Sequence, residues 1–195
     1  LHRFIGIALA TLVALAGLSI AFGTWYRVDA GSRAVILRNG VVVGVAGPGL
    51  GFKLPLVDRV ETIPVRTRLE AFPDMQVYSR DQQPATMRLS VNLRALPDRV
   101  AELQAEYGSL DAAVERAVRP RVEHEARVVF AGTAAVDAVR QRRRLAAEME
   151  EAIRSVMPPS IRLDSVQVES LVFSKDYEQA MARRAAAADG CGANR

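Results

Sequence analysis

From Phe4 to Trp25 the chain runs 22 residues without a charge. Coiled as a helix, that run measures ~33 Å at 1.5 Å per residue, a match for a hydrocarbon core of ~30 Å. Ten of its residues are Phe, Ile, Leu or Val. At ~0.3–0.6 kcal/mol each they favour insertion by roughly 3–6 kcal/mol, offset in part by Ser, Thr and Gly. Arg3 flanks one end, and Trp25, Tyr26 and Arg27 close the other. The only Trp of the chain thus stands where an amphipathic ring anchors among headgroups. The sequence therefore predicts a single-pass anchor over residues 1–26, carried by Phe4, Leu12, Leu15, Leu18, Phe22, Trp25 and Tyr26. Ala14-Leu15-Ala16 resembles a signal-peptide cleavage site, whose use would release a secreted or periplasmic soluble binding domain. The apolar run continues nine residues past Ala16 to the aromatic pair, which favours an uncleaved anchor. Arg27, Arg33 and Arg38 outnumber Arg3, so the cation count alone puts the rest of the chain on the cytoplasmic side.

The anchor leaves 169 residues, enough for one core of ordinary size and an appendage. Cys191 is the single cysteine, which excludes a disulfide framework and a Cys-rich metal site. His2 and His124 are the only histidines, so most metal-hydrolase and Ser-His-Asp schemes are left with one candidate base. We expect no catalytic residues, no metal and no cofactor. The net charge of +4 comes from 24 Arg and two Lys against 22 acids, with both signs interspersed beyond the anchor. Holding DNA needs a face of one sign, and no nucleic-acid partner is expected.

The first half of the body reads as strands. Ala34–Arg38 and Val41–Val45 flank Asn39-Gly40, a strong two-residue hairpin signal. Gly47-Pro48-Gly49 suits a type II turn, with positive φ at Gly49. Apolar and polar residues partly alternate over Val60–Glu70. They alternate strictly over Met75–Ser79 and Thr86–Arg94, which read as an antiparallel hairpin with one wet face. At Leu96-Pro97-Asp98 the period changes. Val100, Leu103 and Tyr107 recur at helical spacing up to Gly108. A second helix runs from near Ser109 towards Phe130, with Pro120 as a candidate kink. A third spans about Ala134 to Val156, ended by Pro158-Pro159. Ile161–Leu171 alternates strictly and predicts a late strand that returns to the β half. The fold class is α+β. A last helix begins near Lys175 and ends in Asp189-Gly190-Cys191-Gly192.

This order of anchor, β half, helices, late strand and terminal helix resembles the SPFH (Band 7) family of stomatins, prohibitins, flotillins and HflK/HflC proteins. Val28-Asp29-Ala30-Gly31-Ser32-Arg33-Ala34-Val35-Ile36 is similar to the family's opening V-x-x-G-x-x-A-V. Gly47 to Pro55 is similar to its G-x-G-x-x-F-x-x-P turn and strand, and Asp81 with the strand after it to the prohibitin hairpin. Gln141-Arg142 falls where prohibitins often have Gln-Arg, although Arg143 and Arg144 replace a Glu and an apolar residue. Leu163 to Tyr177 is similar to the family's strand and Phe/Tyr-led helix start. The prohibitin branch is the nearest. The resemblance implies an anchor over 1–26, an SPFH head over 27–174 and the start of a C-terminal helix over 175–195. The last is short of the three or four heptads a coiled coil needs. It further implies a non-enzymatic membrane scaffold that contacts lipids and forms a homo-oligomer, or a hetero-oligomer with a sister SPFH subunit. Such a scaffold organises a microdomain and regulates an FtsH-type AAA+ membrane protease. Family precedent places the head on the non-cytoplasmic side of a bacterial inner membrane or its equivalent, against the cation count.

Within that frame, Leu50, Phe52 and Leu54 after the Gly-Pro-Gly turn are candidates for a membrane-contacting loop, the competing reading being an ordinary core strand. Gln141, Arg142, Arg143, Arg144 and Tyr177 are candidates for an oligomer or partner contact. A solvated face, with Arg144 and Glu148 paired at i,i+4, is the plainer reading of the arginines. His124 has Val at i+4 and reads as a surface histidine. Asp81, Asp98 and Asp111 stand at turns or before helices, where Asp serves the backbone.

Overall fold

A computed structural model describes residues 24–175 together with Tyr177, Gln179, Ala180 and Arg183. The described residues form eight strands: β1 (Trp25–Val28), β2 (Ser32–Arg38), β3 (Val41–Ala46), β4 (Gly49–Phe52), β5 (Asp58–Pro64), β6 (Arg68–Tyr78), β7 (Pro84–Ala95) and β8 (Ile161–Phe173). The helices are α1 (Val100–Tyr107), α2 (Leu110–Ala113), α3 (Arg119–Gly132), α4 (Ala135–Arg140) and α5 (Arg142–Val156). The fold is α+β, with a β-rich first half, a helical second half and the expected late strand. Two compact units divide the described residues: 24–66 with 95–113, and 67–94 with 114 onward.

The first unit holds the sheet β3-β2-β5 and the two-stranded ribbon β1-β4. Asn39 and Gly40 have φ of 50° and 84°, and Arg38 pairs with Val41 across them. Two positive φ values in a row define the hairpin turn whose twist suits the strands, which Asn-Gly adopts readily. Gly49 has φ of 131°, so the positive φ expected after Pro48 is present, and β4 starts at that residue. Val35, Ile63, Val100 and Leu103 are buried in this unit, and Gly108 ends α1 with a left-handed φ of 80°.

In the second unit the sheet order is β6-β7-β8. β6 and β7 are antiparallel, with a bulge between Phe72 and Met75 that absorbs Pro73 and Asp74. β6 is thus longer than the Met75–Ser79 run of strict alternation, because the bulge resets the pattern partway along. Ser90 bonds the Glu169 carboxylate, Asn92 donates to Ser165 at 3.0 Å, and Arg94 pairs with Asp164 at 3.5 Å. This descending order lays β8 against β7 in the antiparallel sense. Met87, Leu89, Phe130, Met149 and Ile153 form part of the unit's buried core.

Two helices depart from the simplest sequence reading. The second is not continuous: Val114–Val118 is a π-helical turn between α2 and α3. Pro120 has no N–H to donate to the carbonyl four residues back, and the backbone just before it widens to i→i+5 bonding. The third helix is divided at Gln141, whose φ and ψ of −112° and 39° separate α4 from α5. An unbroken helix would stack Arg140 over Arg144 at i,i+4, a like-charge pair that disfavours continuation.

Candidate membrane-contact surface

β1 and β4 pair antiparallel with Trp25 opposite Phe52, Tyr26 opposite Gly51, Arg27 opposite Leu50 and Val28 opposite Gly49. The aromatic end of the expected anchor, Trp25 and Tyr26, therefore lies in a strand. Both residues favour extended backbone, and β4 supplies the ladder partner. Phe4, Leu12, Leu15, Leu18 and Phe22 lie outside the described residues. Among the described residues no helix is long and apolar enough to cross a membrane.

The alternation of β4 sends its two sides to different neighbours. Tyr26 lies over Gly51 so closely that a Cβ there would stand 2.4 Å from the Tyr26 ring carbon Cζ. Only glycine lets the ring cover the backbone at this point. On the other side the Trp25 and Phe52 ring centroids are 4.1 Å apart, tilted by 49°. Trp25 is 51% exposed, Leu50 66%, Phe52 63%, Leu54 53% and Leu56 97%. The core-strand reading of Leu50, Phe52 and Leu54 thus fails: the apolar side chains of this segment face solvent. Val57 and the edge-strand residues Val41, Val43 and Val45 are exposed as well. Single exposed apolar residues are ordinary, whereas a contiguous group in one short segment marks an interaction surface.

The segment after β4 is clamped. Lys53 N–H donates to the Thr24 carbonyl at 2.8 Å, continuing the ribbon. The Asp58 carboxylate accepts from Arg38 Nε at 2.8 Å and from Leu54 N–H at 2.9 Å. Its pKa is held below the usual carboxylate value, first by the Arg38 hydrogen bond and then by the Leu54 N–H, while Arg38 is raised in turn. Leu56 has φ of 70°, a conformation that a leucine adopts only when neighbours fix it. The apolar residues 54–57 are therefore presented by a tied loop.

The other candidate residues lie in the second unit. Gln141 stands at the α4–α5 break, and its carbonyl accepts from Leu145 N–H at 3.0 Å. Arg142 donates to the Glu169 carbonyl at 3.0 Å, and Arg144 pairs with Glu148 at 2.8 Å, as the i,i+4 spacing predicts. Arg143 is exposed. Tyr177 packs on Phe173 with centroids 5.0 Å apart, and Phe173 stands 6.3 Å from Phe130. A cleft of ≈ 180 Å³ is lined by Arg80, Thr133, Asp137, Gln141, Arg144 and Glu148. It is polar and mixed in charge, with no nucleophile set beside a base. Among the described residues no group of three or more His, Cys, Asp or Glu is placed to hold a metal ion.

Asp81 does serve the backbone, at a distance the sequence does not disclose. Its carboxylate accepts from Ser79 Oγ at 2.7 Å and from Ala135 N–H at 2.9 Å, capping α4 from the β6–β7 turn. Arg80 N–H donates to the Thr133 carbonyl at 2.9 Å beside it. Ser79 and Ala135, in that order, hold the Asp81 pKa below its ordinary value. The Pro97–Arg99 turn and α1 after it start without a side-chain bond from their N-cap residues, and Ser109 Oγ accepts from Ala112 N–H at 3.1 Å at the start of α2.

The described residues thus form an α+β body with an outward apolar ribbon. Over residues 26–189 the chain matches the SPFH domain / Band 7 family, and it belongs to that family. It is 29% identical to the mitochondrial prohibitin-7 of Arabidopsis thaliana over 176 residues, covering 88% of this chain and 62% of that protein. It is 25% identical to a stomatin homologue of Pyrococcus horikoshii over 157 residues, 80% of this chain and 56% of the homologue. Mitochondrial prohibitin-6 of Arabidopsis thaliana is 28% identical over 182 residues, with 90% and 62% covered. The chain thus spans about three fifths of the length of these relatives.

Proposed function

We propose that this protein is a non-enzymatic membrane scaffold whose β1–β4 ribbon and 54–57 loop rest in the bilayer interface beside a single-pass anchor within residues 1–26. The carrying observation is the exposure of Trp25, Leu50, Phe52, Leu54 and Leu56 together on a clamped segment. Burying apolar surface gives ~25 cal/mol per Å², and an aromatic pair at the headgroup level adds interfacial affinity. Membership of the SPFH family supports the scaffold reading. By the same likeness the protein assembles with copies of itself or with a sister subunit, organises a membrane territory, and regulates an FtsH-type AAA+ protease. The head stands on the non-cytoplasmic side of a bacterial inner membrane or its equivalent.

Leu56 supplies the test, because the chain has one Trp and it can be moved. The full chain carrying Trp25→Phe and Leu56→Trp is reconstituted into vesicles whose acyl chains are brominated. Quenching of the new indole, together with a blue-shifted emission, is the expected result. An indole that emits as it does in water and is untouched by bromine would refute membrane contact by this loop.

A further inference from the structure

Two exposed patches of opposite sign remain on a surface where most other carboxylates already have partners. The first is the α4–α5 break. Arg140, Arg142, Arg143 and Arg144 crowd it; Glu148 neutralises Arg144, and among the described residues Arg142 reaches a carbonyl and no carboxylate. Among the described residues Arg140 and Arg143 make no ion pair. α5 starts here without a side-chain cap and without an acidic residue in its first turn. The positive end of a 15-residue helix thus coincides with a run of cations, where carboxylates would be the favoured residues. The run repels itself unless an anion completes it.

The second patch runs along α1. Asp98, in the Pro97–Arg99 turn before the helix, and Glu102 and Glu106 within it recur at four-residue spacing, all exposed, while Val100 and Leu103 are buried. Arg99 meets Glu102 at 3.4 Å, while among the described residues Asp98 and Glu106 make no ion pair. These carboxylates are opposite in sign to the arginines at the α4–α5 break.

We propose that the arginines of the α4–α5 break in one copy take the Asp98–Glu102–Glu106 row of a second copy. The contact joins unlike surfaces of two identical chains, so each copy offers one free patch of either sign and assembly continues from copy to copy. It deepens the scaffold reading above, on which it rests, by naming the surfaces through which copies meet. An anionic lipid surface is a different occupant for the arginines, but it would leave the carboxylate row on α1 unexplained.

The full chain in mild detergent is measured by native mass, with two charge-reversal variants: Arg140→Glu with Arg143→Glu, and Asp98→Lys with Glu106→Lys. Circular dichroism checks that each is folded; in the first variant Arg143→Glu adds an acid to the first turn of α5, which favours that helix, while Arg140→Glu removes a cation from the last turn of the short α4. Wild type is expected as an oligomer that dissociates as salt rises from about 50 mM to about 500 mM, because exposed pairs are screened over a shorter Debye length. Each variant alone is expected at the mass of one chain, and an equimolar mixture of the two is expected to regain the oligomer. Monomeric wild type, an oligomer unchanged in both variants, or a mixture that stays monomeric would each overturn the contact. Loss of binding to anionic vesicles by the arginine variant, with its oligomer intact, would assign the patch to lipid instead. The indole quenching at position 56 is read independently, so the contact can fail while membrane seating stands.

Discussion

Asp81→Ala should remove a tie that spans 54 residues of sequence. The wild-type carboxylate accepts from Ser79 Oγ at 2.7 Å and from Ala135 N–H at 2.9 Å, the latter at the first turn of α4, whose own N-cap residue Ala134 supplies no side-chain bond. A carboxylate bond to a helix N-terminus is worth ~0.5–2 kcal/mol, and bonds to charged groups reach ~1.5–3 kcal/mol. Solvent reaches this side chain, so the lower part of both ranges applies and the expected loss is about 1–2 kcal/mol. In a chain of this size that lowers the midpoint by roughly 3–6 °C. Asp81→Asn keeps an acceptor without the charge and should lose about half as much, on the order of 0.5–1 kcal/mol. The pH dependence has a definite sign. The folded-state pKa lies below the ordinary value, so the carboxylate stabilises the fold above the unfolded pKa near ~3.9 and ceases to do so as pH falls through the folded value. Urea unfolding at several pH values reads this as a gap between wild type and Asp81→Asn that narrows below pH ~4. Hydrogen exchange at the Ala135 amide should accelerate in both variants. A gap under about 0.3 kcal/mol at neutral pH, or one that persists unchanged in acid, would refute the argument, since neither fits a charged cap.

Glu70→Gln should destabilise the second unit by about 1–3 kcal/mol. It breaks a largely buried carboxylate's pairs with Arg68 and with Arg119 at 3.4 Å, and leaves Arg119, 5.1 Å from the Phe72 ring centroid, with only the Glu115 pair at 3.1 Å. Denaturant titration checks it, and a neutral result would mean the pair is solvated in solution. Gly31→Ala should cost about 1–3 kcal/mol, because φ of 86° is strained for any Cβ and the Arg66 side chain occupies that space at 2.1 Å. The Arg66 bond to the Ala30 carbonyl is then displaced. Pairing the change with Arg66→Ala separates crowding from backbone strain, since only crowding is relieved in the double variant.

Local chemistry wrote much of this fold into the chain. Asn39-Gly40 can close a hairpin with almost any flanking strands, Gly108 can end a helix without reference to distant residues, and the alternation of Thr86–Arg94 and Ile161–Leu171 needs only one wet face. The SPFH family was legible too, because the order of these signals survives where each single motif is weak. What the sequence left open turns on neighbours far along the chain. Leu50, Phe52 and Leu54 read equally as core or surface, since an apolar pattern records only that a side chain avoids water. It does not say whether anything covers that side chain in this chain. Pairing of β4 with β1, and the Asp58 clamp on Leu54, leave these residues uncovered. Asp81 likewise showed itself as a turn residue, yet its partner Ala135 is chosen by how β6, β7, α3 and α4 pack. Periodicity along a helix or strand is fixed by bond geometry and was readable residue by residue. Exposure and long-range capping depend on which surfaces meet, and only the tertiary structure decided those.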